Sequence, residues 1–480
     1  MENESESGKR IVSNLIWRLA ERFGAQLVSF VVSIVLARLL LPEDYGTITM
    51  VTVFIAILQV FTDSGFGNAL IQKKDADDLD FSSVFYFNVI FCLLLYVGLF
   101  ACAPLIASFY DRPELVPLVR VLGISLIISG VKNIQQAYVS RQLMFKVFFY
   151  STLIGTIGAA VVGITMAYLG FGVWALVTQQ LFNTTLDTII LWTTVKWRPK
   201  RMFSLSRLKT LFSYGWKLLA AALLDTVYNN VRQLIIGKKY TSSDLAYYNK
   251  GEQFPSLIIV NINSSIDSVL FPVISKAQTD LGQVKKLTRK ALKTSSFVIW
   301  PIVMGMAACA DSIVRILLSE KWVACVPYMQ IFCLTYGLWP VITANLNAIK
   351  ALGRSDIFFK LEVAKKIVGL ISVLIALPFG PFAMAIAYFA TMPFNAMINA
   401  FPNKKLMNYR YREQFVDILP SFALSLAMGC VVYMIGMLSF NIYLKLLVQV
   451  VTGVIIYIFG AKIFRFESFN LILKLIKKED

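Results

Sequence analysis

The sequence contains no histidine, which excludes imidazole metal ligands, serine–histidine pairs and histidine proton relays. Charge is also scarce. Charged residues make up 15% of the chain, where a soluble domain carries about 25%. The six cysteines (Cys92, Cys102, Cys309, Cys325, Cys333 and Cys430) form no CxxC pair and sit in or at the ends of apolar runs. They read as inert small hydrophobes. The acidic stretch Asp75, Asp77, Asp78 and Asp80 has neither a histidine nor a glycine-rich phosphate loop beside it. It reads as a solvated loop rather than a metal or nucleotide-sugar site. No cleavable signal peptide is expected, because the polar start MENESESGKR precedes an apolar segment too long for an h-region. Two NxT/S patterns, at Asn183 and Asn263, fall inside apolar runs and read as chance.

Apolar residues fill the space. They account for 57% of the chain, and the mean hydropathy is +0.68. Runs of roughly 20 apolar residues recur along the whole length, each enough to cross about 30 Å of hydrocarbon as a helix. The fold class is therefore an all-α polytopic membrane protein. Fourteen spans are predicted, at about 11–41, 45–71, 80–108, 114–140, 145–169, 172–195, 206–236, 243–275, 287–317, 325–351, 356–378, 381–402, 415–438 and 441–464. Connections are short, and the longest, 196–205 and 403–414, are basic linkers.

The net charge of +18 raises nucleic acid as a partner, but the placement of the cations argues against it. Most of the 46 lysines and arginines gather in alternate connections and at the two ends. The positive-inside rule then places both termini in the cytoplasm, with membrane lipids and no nucleic acid as partners.

Loop residues return at an offset near 200–210. Pro42-Glu43-Asp44-Tyr45-Gly46 opens span 2, and Asp244-Leu245-Ala246 opens span 8. Val116-Pro117 matches Val326-Pro327, and Arg141 before Phe145 and Phe148 matches Arg354 before Phe358 and Phe359. Gly170 to Ala175 matches Pro378 to Ala383. Each repeat holds six spans, so the two have parallel orientation, a recognised transporter design. The expected organisation is an N-lobe over 1–195, a basic cytoplasmic linker over 196–205 and a C-lobe over 206–402. Spans 13 and 14 with a basic tail fill 403–480.

Ionisable residues at bilayer depth are costly and face a protein interior or a wet cavity. On span 7, Lys217, Asp225, Tyr228, Asn229 and Arg232 fall within an arc of about 120°. Span 1 places Arg18, Arg22, Gln26, Ser29 and Ser33 on one face. Span 4 adds Arg120 and Lys132, span 2 Asp63, span 6 Asp187 and span 8 Asp267. Facing lobes would thus enclose a net cationic cavity for an anionic substrate, gripped by Arg22, Arg120, Lys132, Lys217 and Arg232. Asp63, Asp225 and Asp267 are its acidic members and candidates for ion coupling. Simpler readings stand beside these. Arg18, Arg22 and Arg232 could snorkel to the membrane edges, Asp63 with Gly65 and Gly67 could set a helix bend, and Asp225 could pair with Arg232.

The stretches Ala37-Arg38-Leu39-Leu40, Pro42 to Gly46, Asp63 to Gln72 and Gly172 to Val177 resemble the polysaccharide transporter family. Its members are flippases of lipid-linked O-antigen, capsule or exopolysaccharide repeat units, within the multidrug/oligosaccharidyl-lipid/polysaccharide exporter superfamily. The resemblance implies two lobes around a lumen lined by spans 1, 2, 7 and 8 and alternately open to each side. Its substrate would be an undecaprenyl-pyrophosphate-linked oligosaccharide, carried between leaflets of a bacterial cytoplasmic membrane. Spans 13 and 14 would offer a groove for the lipid tail. No catalytic residue and no cofactor are expected, and polymerase and glycosyltransferases of the same pathway are the implied protein partners. The competing readings are a multidrug antiporter of the same superfamily, a membrane glycosyltransferase or polymerase, and a structural scaffold. An antiporter for cationic drugs would favour acidic cavity residues. The enzymes typically need a large external loop with catalytic groups, and here the external connections are short.

Overall fold

The computed structural model describes residues 24–63 and 65–477. Helices follow one another without a strand among the described residues: α1 (Gly24–Leu39), α2 (Pro42–Asp63), α3 (Phe66–Gln72), α4 (Asp78–Tyr110), α5 (Leu115–Arg141), α6 (Phe145–Tyr168) and α7 (Val173–Thr194). Then come α8 (Leu205–Lys239), α9 (Ser242–Lys276), α10 (Leu281–Ala308), α11 (Ala310–Leu317), a 3-10 turn (Glu320–Cys325), α12 (Val326–Gly337) and α13 (Trp339–Ala351). The last are α14 (Ser355–Ala376), α15 (Pro381–Met407), α16 (Tyr411–Gly436), α17 (Ile442–Ile463) and α18 (Glu467–Lys477).

Ten stretches among the described residues are long and apolar enough to cross a membrane. Two of them merge shorter elements, α2 with α3 and the 3-10 turn with α12 and α13. The predicted spans outside those ten coincide with α1, α7, α8 and α14. The latter three carry polar residues among their apolar ones, such as Asp187 on α7 and Lys217, Asp225 and Arg232 on α8. Elsewhere, apolar side chains face outward along whole helices, as with Leu94, Val97 and Leu105 on α4 and Leu447, Ile455 and Phe459 on α17. Lipid tolerates that, because a helix satisfies its own backbone hydrogen bonds.

The chain divides into two compact units, residues 1–246 and 247–480. In the first, α4 packs on α5, α5 on α7, and α6 on α7. In the second, α10 packs on α12 and α13, these on α15, and α14 on α15. Under the sequence offset these are the same pairings, so the repeat is a repeat of packing. Its turn residues also do the same work twice. Asp44 accepts a hydrogen bond from the Leu41 amide (3.0 Å), and Asp244 accepts from the Thr241 amide (3.2 Å) and hydroxyl (2.7 Å). Each carboxylate reaches back to cap the start of its own helix, where free amides favour an anion. Gly172 (φ 54°) and Gly380 (φ 104°) precede α7 and α15 in a backbone region that glycine enters without strain. Arg141 and Arg354 diverge. Arg141 donates to the carbonyls of Leu70 and Lys74, whereas Arg354 pairs with Asp356 at 2.9 Å.

The acidic stretch at 75–80 departs from the expected solvated loop at Asp80, while Asp75 and Asp77 are exposed. Asp77 and Asp80 form a reciprocal capping box at the start of α4. That bond from the Asp80 amide, helped by Arg207 and Lys73, holds the Asp77 carboxyl below the ordinary carboxylate range. Asp80 is fully buried, with Lys73 Nζ at 2.6 Å and Arg207 at 3.6 Å, and Asp78 meets Lys200 at 2.5 Å and the Trp197 indole at 3.0 Å. Ser82 and Ser83 accept from the amides of Lys200 and Ser204, and Gln135 donates to the Trp197 carbonyl. The basic linker is thus stitched to α4 and α5 by complementary charge. The substitution Asp80→Ala is expected to cost about 2 kcal/mol, the usual range for losing hydrogen bonds to a buried charged group. The check is a lower thermal midpoint together with faster protease cleavage within 196–205.

Candidate functional site

Of the charged residues singled out by sequence, Arg22, like Arg18, lies outside the described residues. Seven of the others fall in the first unit, and Asp267 lies half-buried on α9 in the second. They do not converge on one point. Arg120 and Lys132 share α5 but stand twelve residues apart, about 18 Å along the axis. Arg120 lies over the Phe100 ring, 4.1 Å from its centroid, and donates to the Phe100 carbonyl at 3.4 Å. Its charge is held on α4 by cation–π attraction.

Lys132 forms the main ionic contact at membrane depth in this unit. Its ammonium lies 3.3 Å from Asp187 on α7, and both side chains are mostly buried, 17% and 12% exposed. The second Asp187 oxygen is buried without a hydrogen-bond partner. Gly155 of α6 leaves room for the carboxylate, since a Cβ there would stand 3.3 Å from Asp187 Cβ. A charge pair therefore ties α5 to α7, with α6 packed beside the carboxylate. Pairing fixes Lys132 in place, and it also partly neutralises it.

The polar arc of α8 is real but mixed in exposure. Lys217, Asp225 and Asn229 are exposed, whereas Arg232 is buried, with its guanidinium 5.9 Å from the Tyr228 ring centroid. Arg232 therefore does not snorkel. Near Lys217, α8 meets the end of α2. Beyond it, α3 starts at Phe66 with Gly65 as its N-cap. A Cβ on Gly215 would lie 2.6 Å from the Gly65 carbonyl oxygen. Two glycines thus bring the α2–α3 junction backbone-close to α8, two residues from Lys217. The Asp63 side chain lies outside the described set.

The second unit holds features that the charge reading missed. On α9, the Lys250 ammonium is buried, donates to Gln253 at 3.0 Å and stands 5.8 Å from the Trp322 ring centroid. Two residues on, Glu252 accepts from Tyr336 at 3.1 Å. The run Lys250-Gly251-Glu252 was visible in the sequence, inside a predicted span, and its charges were overlooked because they sit close to the span's start. Helices α10, α11, α16 and α17 enclose an apolar groove of about 430 Å³, lined by Pro301, Met306, Met428, Val450, Val454 and Ile458 among others. Gly453 keeps it open, since a Cβ there would come to 3.3 Å from Val432.

A repeated set of helix pairings, a charge pair among apolar helices and an apolar groove define a multi-pass helical membrane protein. The chain belongs to the family described as "Polysaccharide biosynthesis protein", which matches residues 35–327. It is 25% identical to the teichuronic acid biosynthesis protein TuaB of Bacillus subtilis, over 94% of this chain and 95% of that one. It is 23% identical to the lipopolysaccharide biosynthesis protein WzxC of Escherichia coli K12, over 84% and 82% of the two chains. Among solved structures, the lipid II flippase MurJ in an inward closed conformation shares the fold, with a TM-score of 0.75 at 15% identity over 94% of this chain and 98% of that one. An inward-facing multidrug resistance MATE transporter matches at a TM-score of 0.62 and 13% identity, over 80% and 96%.

Proposed function

We propose that this protein moves lipid-linked oligosaccharide repeat units from the inner to the outer leaflet of a bacterial cytoplasmic membrane, for surface polysaccharide synthesis. The observation that carries the reading is the apolar groove on α10, α16 and α17. It is built largely from the two spans that lie outside the repeat, and it suits a long lipid chain better than a soluble substrate. Relatives named for teichuronic acid and lipopolysaccharide biosynthesis support it, as does the fold shared with a lipid II flippase. In this mechanism the lipid tail stays in hydrocarbon while the sugar-diphosphate head crosses a polar lumen. Both termini lie in the cytoplasm, where the basic connections gather. Arg22, Arg120, Lys132, Lys217 and Arg232 supply its cations. Asp63, Asp225 and Asp267 are its acidic members and the places to look for ion coupling. The carrier is an undecaprenyl diphosphate, and polymerase and glycosyltransferases act beside the protein on the same intermediates.

The test is the position and length of lipid-linked sugars in a strain lacking the gene. Complete repeat units trapped on the cytoplasmic face are the expected result. Truncated units would replace the reading with a glycosyltransferase. Complete units already outside and unpolymerised would replace it with a polymerase, and no change at all would favour a drug exporter.

A further inference from the structure

The strongest unassigned feature of the second unit is a cationic cavity at the start of α10. Lys286, Arg289, Lys290 and Lys293 follow at spacings of three, one and three residues, which places them on one helical face. With Thr294 on α10 and Glu467, Ser468 and Leu471 on α18 they line a space of about 490 Å³. This is a built site rather than a loose basic patch. Arg289 is fixed by two hydrogen bonds to Asp417, at 2.8 and 2.7 Å, and Tyr409 holds the same carboxylate at 2.7 Å. Asp417 is 2% exposed, so the guanidinium is oriented from beneath while further N–H groups remain to donate. Lys293 lies 3.0 Å from Glu467 and 3.6 Å from Asp417, which ties α18 to α10. Lys286 and Lys290 are exposed and make no ion pair among the described residues. Four cations thus face two carboxylates, and the two hydroxyls add neutral donors.

What lies next on the same helix indicates the ligand. Pro301, seven residues and about 10 Å beyond Thr294, lines the apolar groove. Between the two spaces lies a ring cluster in which Phe297 meets Tyr457, Phe466 and Phe469 with centroids 5.1, 5.9 and 6.4 Å away. A cationic cavity, a buried aromatic cluster and an apolar groove therefore follow one another along α10. Lys286 and Lys293 are also about 10 Å apart along the axis, room for two phosphoryl groups in series.

We propose that this cavity docks the diphosphate of a single-chain polyprenyl diphosphate lipid, with the chain passing over Phe297 into the groove. It is a loading site of the second unit, built from α10 and α18. The inference rests on the flippase reading and adds to it the place where the substrate's head is first held.

The experiment measures binding of undecaprenyl diphosphate to the full-length protein in nanodiscs of neutral lipid. Wild type is compared with the Lys286→Gln/Lys290→Gln variant, whose changed side chains are exposed. The expected result is binding weakened about tenfold or more, loss of the wild-type advantage at high salt, and no change for undecaprenol, which lacks phosphate. Unchanged affinity in the variant overturns the proposal. So does equal displacement of the ligand by phosphatidylglycerol or by inorganic pyrophosphate, which would assign the cavity to bulk anionic lipid or to a free phosphate ion. Sugar-lipid flipping by wild type is measured in the same vesicles. Normal flipping with unchanged variant binding removes only the docking site, whereas absent wild-type flipping removes the wider reading.

Discussion

The variant Lys132→Met is expected to lower stability by about 3 kcal/mol, the scale for stranding one member of a buried ion pair. Asp187 would then remain between α5, α6 and α7 with its charged partner, 3.3 Å away in the wild type, removed. The companion Asp187→Leu should be equally damaging, because it strands the ammonium instead. The double variant is the informative one. Replacing both charges by apolar groups of similar size restores most of the lost stability, since a well-packed apolar contact often equals a buried pair. Thermal midpoints of the purified protein test this cycle. Transport then separates two roles for Lys132. If the double variant is stable but flips repeat units poorly, the ammonium serves the substrate as well as the fold. If stability and transport recover together, Lys132 is a strut, and the proposed cationic lumen rests on Arg22, Arg120, Lys217 and Arg232. Wild-type transport by Lys132→Ala, Lys217→Ala and Arg22→Ala at normal protein levels would refute the cationic lumen altogether.

The largest structural effect is expected at Gly46. A Cβ there would sit 1.8 Å from the Ser242 carbonyl oxygen, 2.4 Å from its carbon and 2.7 Å from its Cα. Those atoms are backbone, so no side chain can swing aside to make room. The first turn of α2 and the first turn of α9 touch through this one hydrogen-only position, and both turns are pinned by their own capping aspartates, Asp44 and Asp244. The substitution Gly46→Ala should therefore cost at least 3 kcal/mol, at or beyond the upper end for overpacking, and Gly46→Val should leave little monodisperse protein after solubilisation. Gly98 on α4 is the control, because a Cβ there meets nothing within 4 Å. Gly98→Ala should elute and melt as wild type does. Similar behaviour of the two alanine variants would show that the turns do not need to touch.

The repeat motif illustrates what was legible in a linear sequence and what was not. Asp44 and Asp244 stood out by their position after an apolar run, and a helix start needs an acceptor wherever it occurs. That role is local, set within three residues, so reading it required no fold. Gly46 and Ala246 occupied the same slot, but nothing nearby in the chain showed that Gly46 meets Ser242. Close approach across nearly two hundred residues is a tertiary fact. The same division separates the acidic stretch at 75–80 from its partners. Capping by Asp77 is local, whereas burial of Asp80 depends on Lys73, on Arg207 and on a linker that returns after three helices.

The membrane class and the positions of the helices among the described residues follow from the sequence, because each rests on near-neighbour periodicity, span length and the cost of placing polar backbone in lipid. The charged residues were legible as a list for the same reason, since an arginine in an apolar run is conspicuous. Which of those charges pair, which lie on an aromatic face and which remain exposed was decided only by tertiary structure. Lys132 met Asp187, Arg120 met Phe100 and Arg232 was buried, because a helix wheel fixes the direction of a side chain and leaves open what lies in that direction.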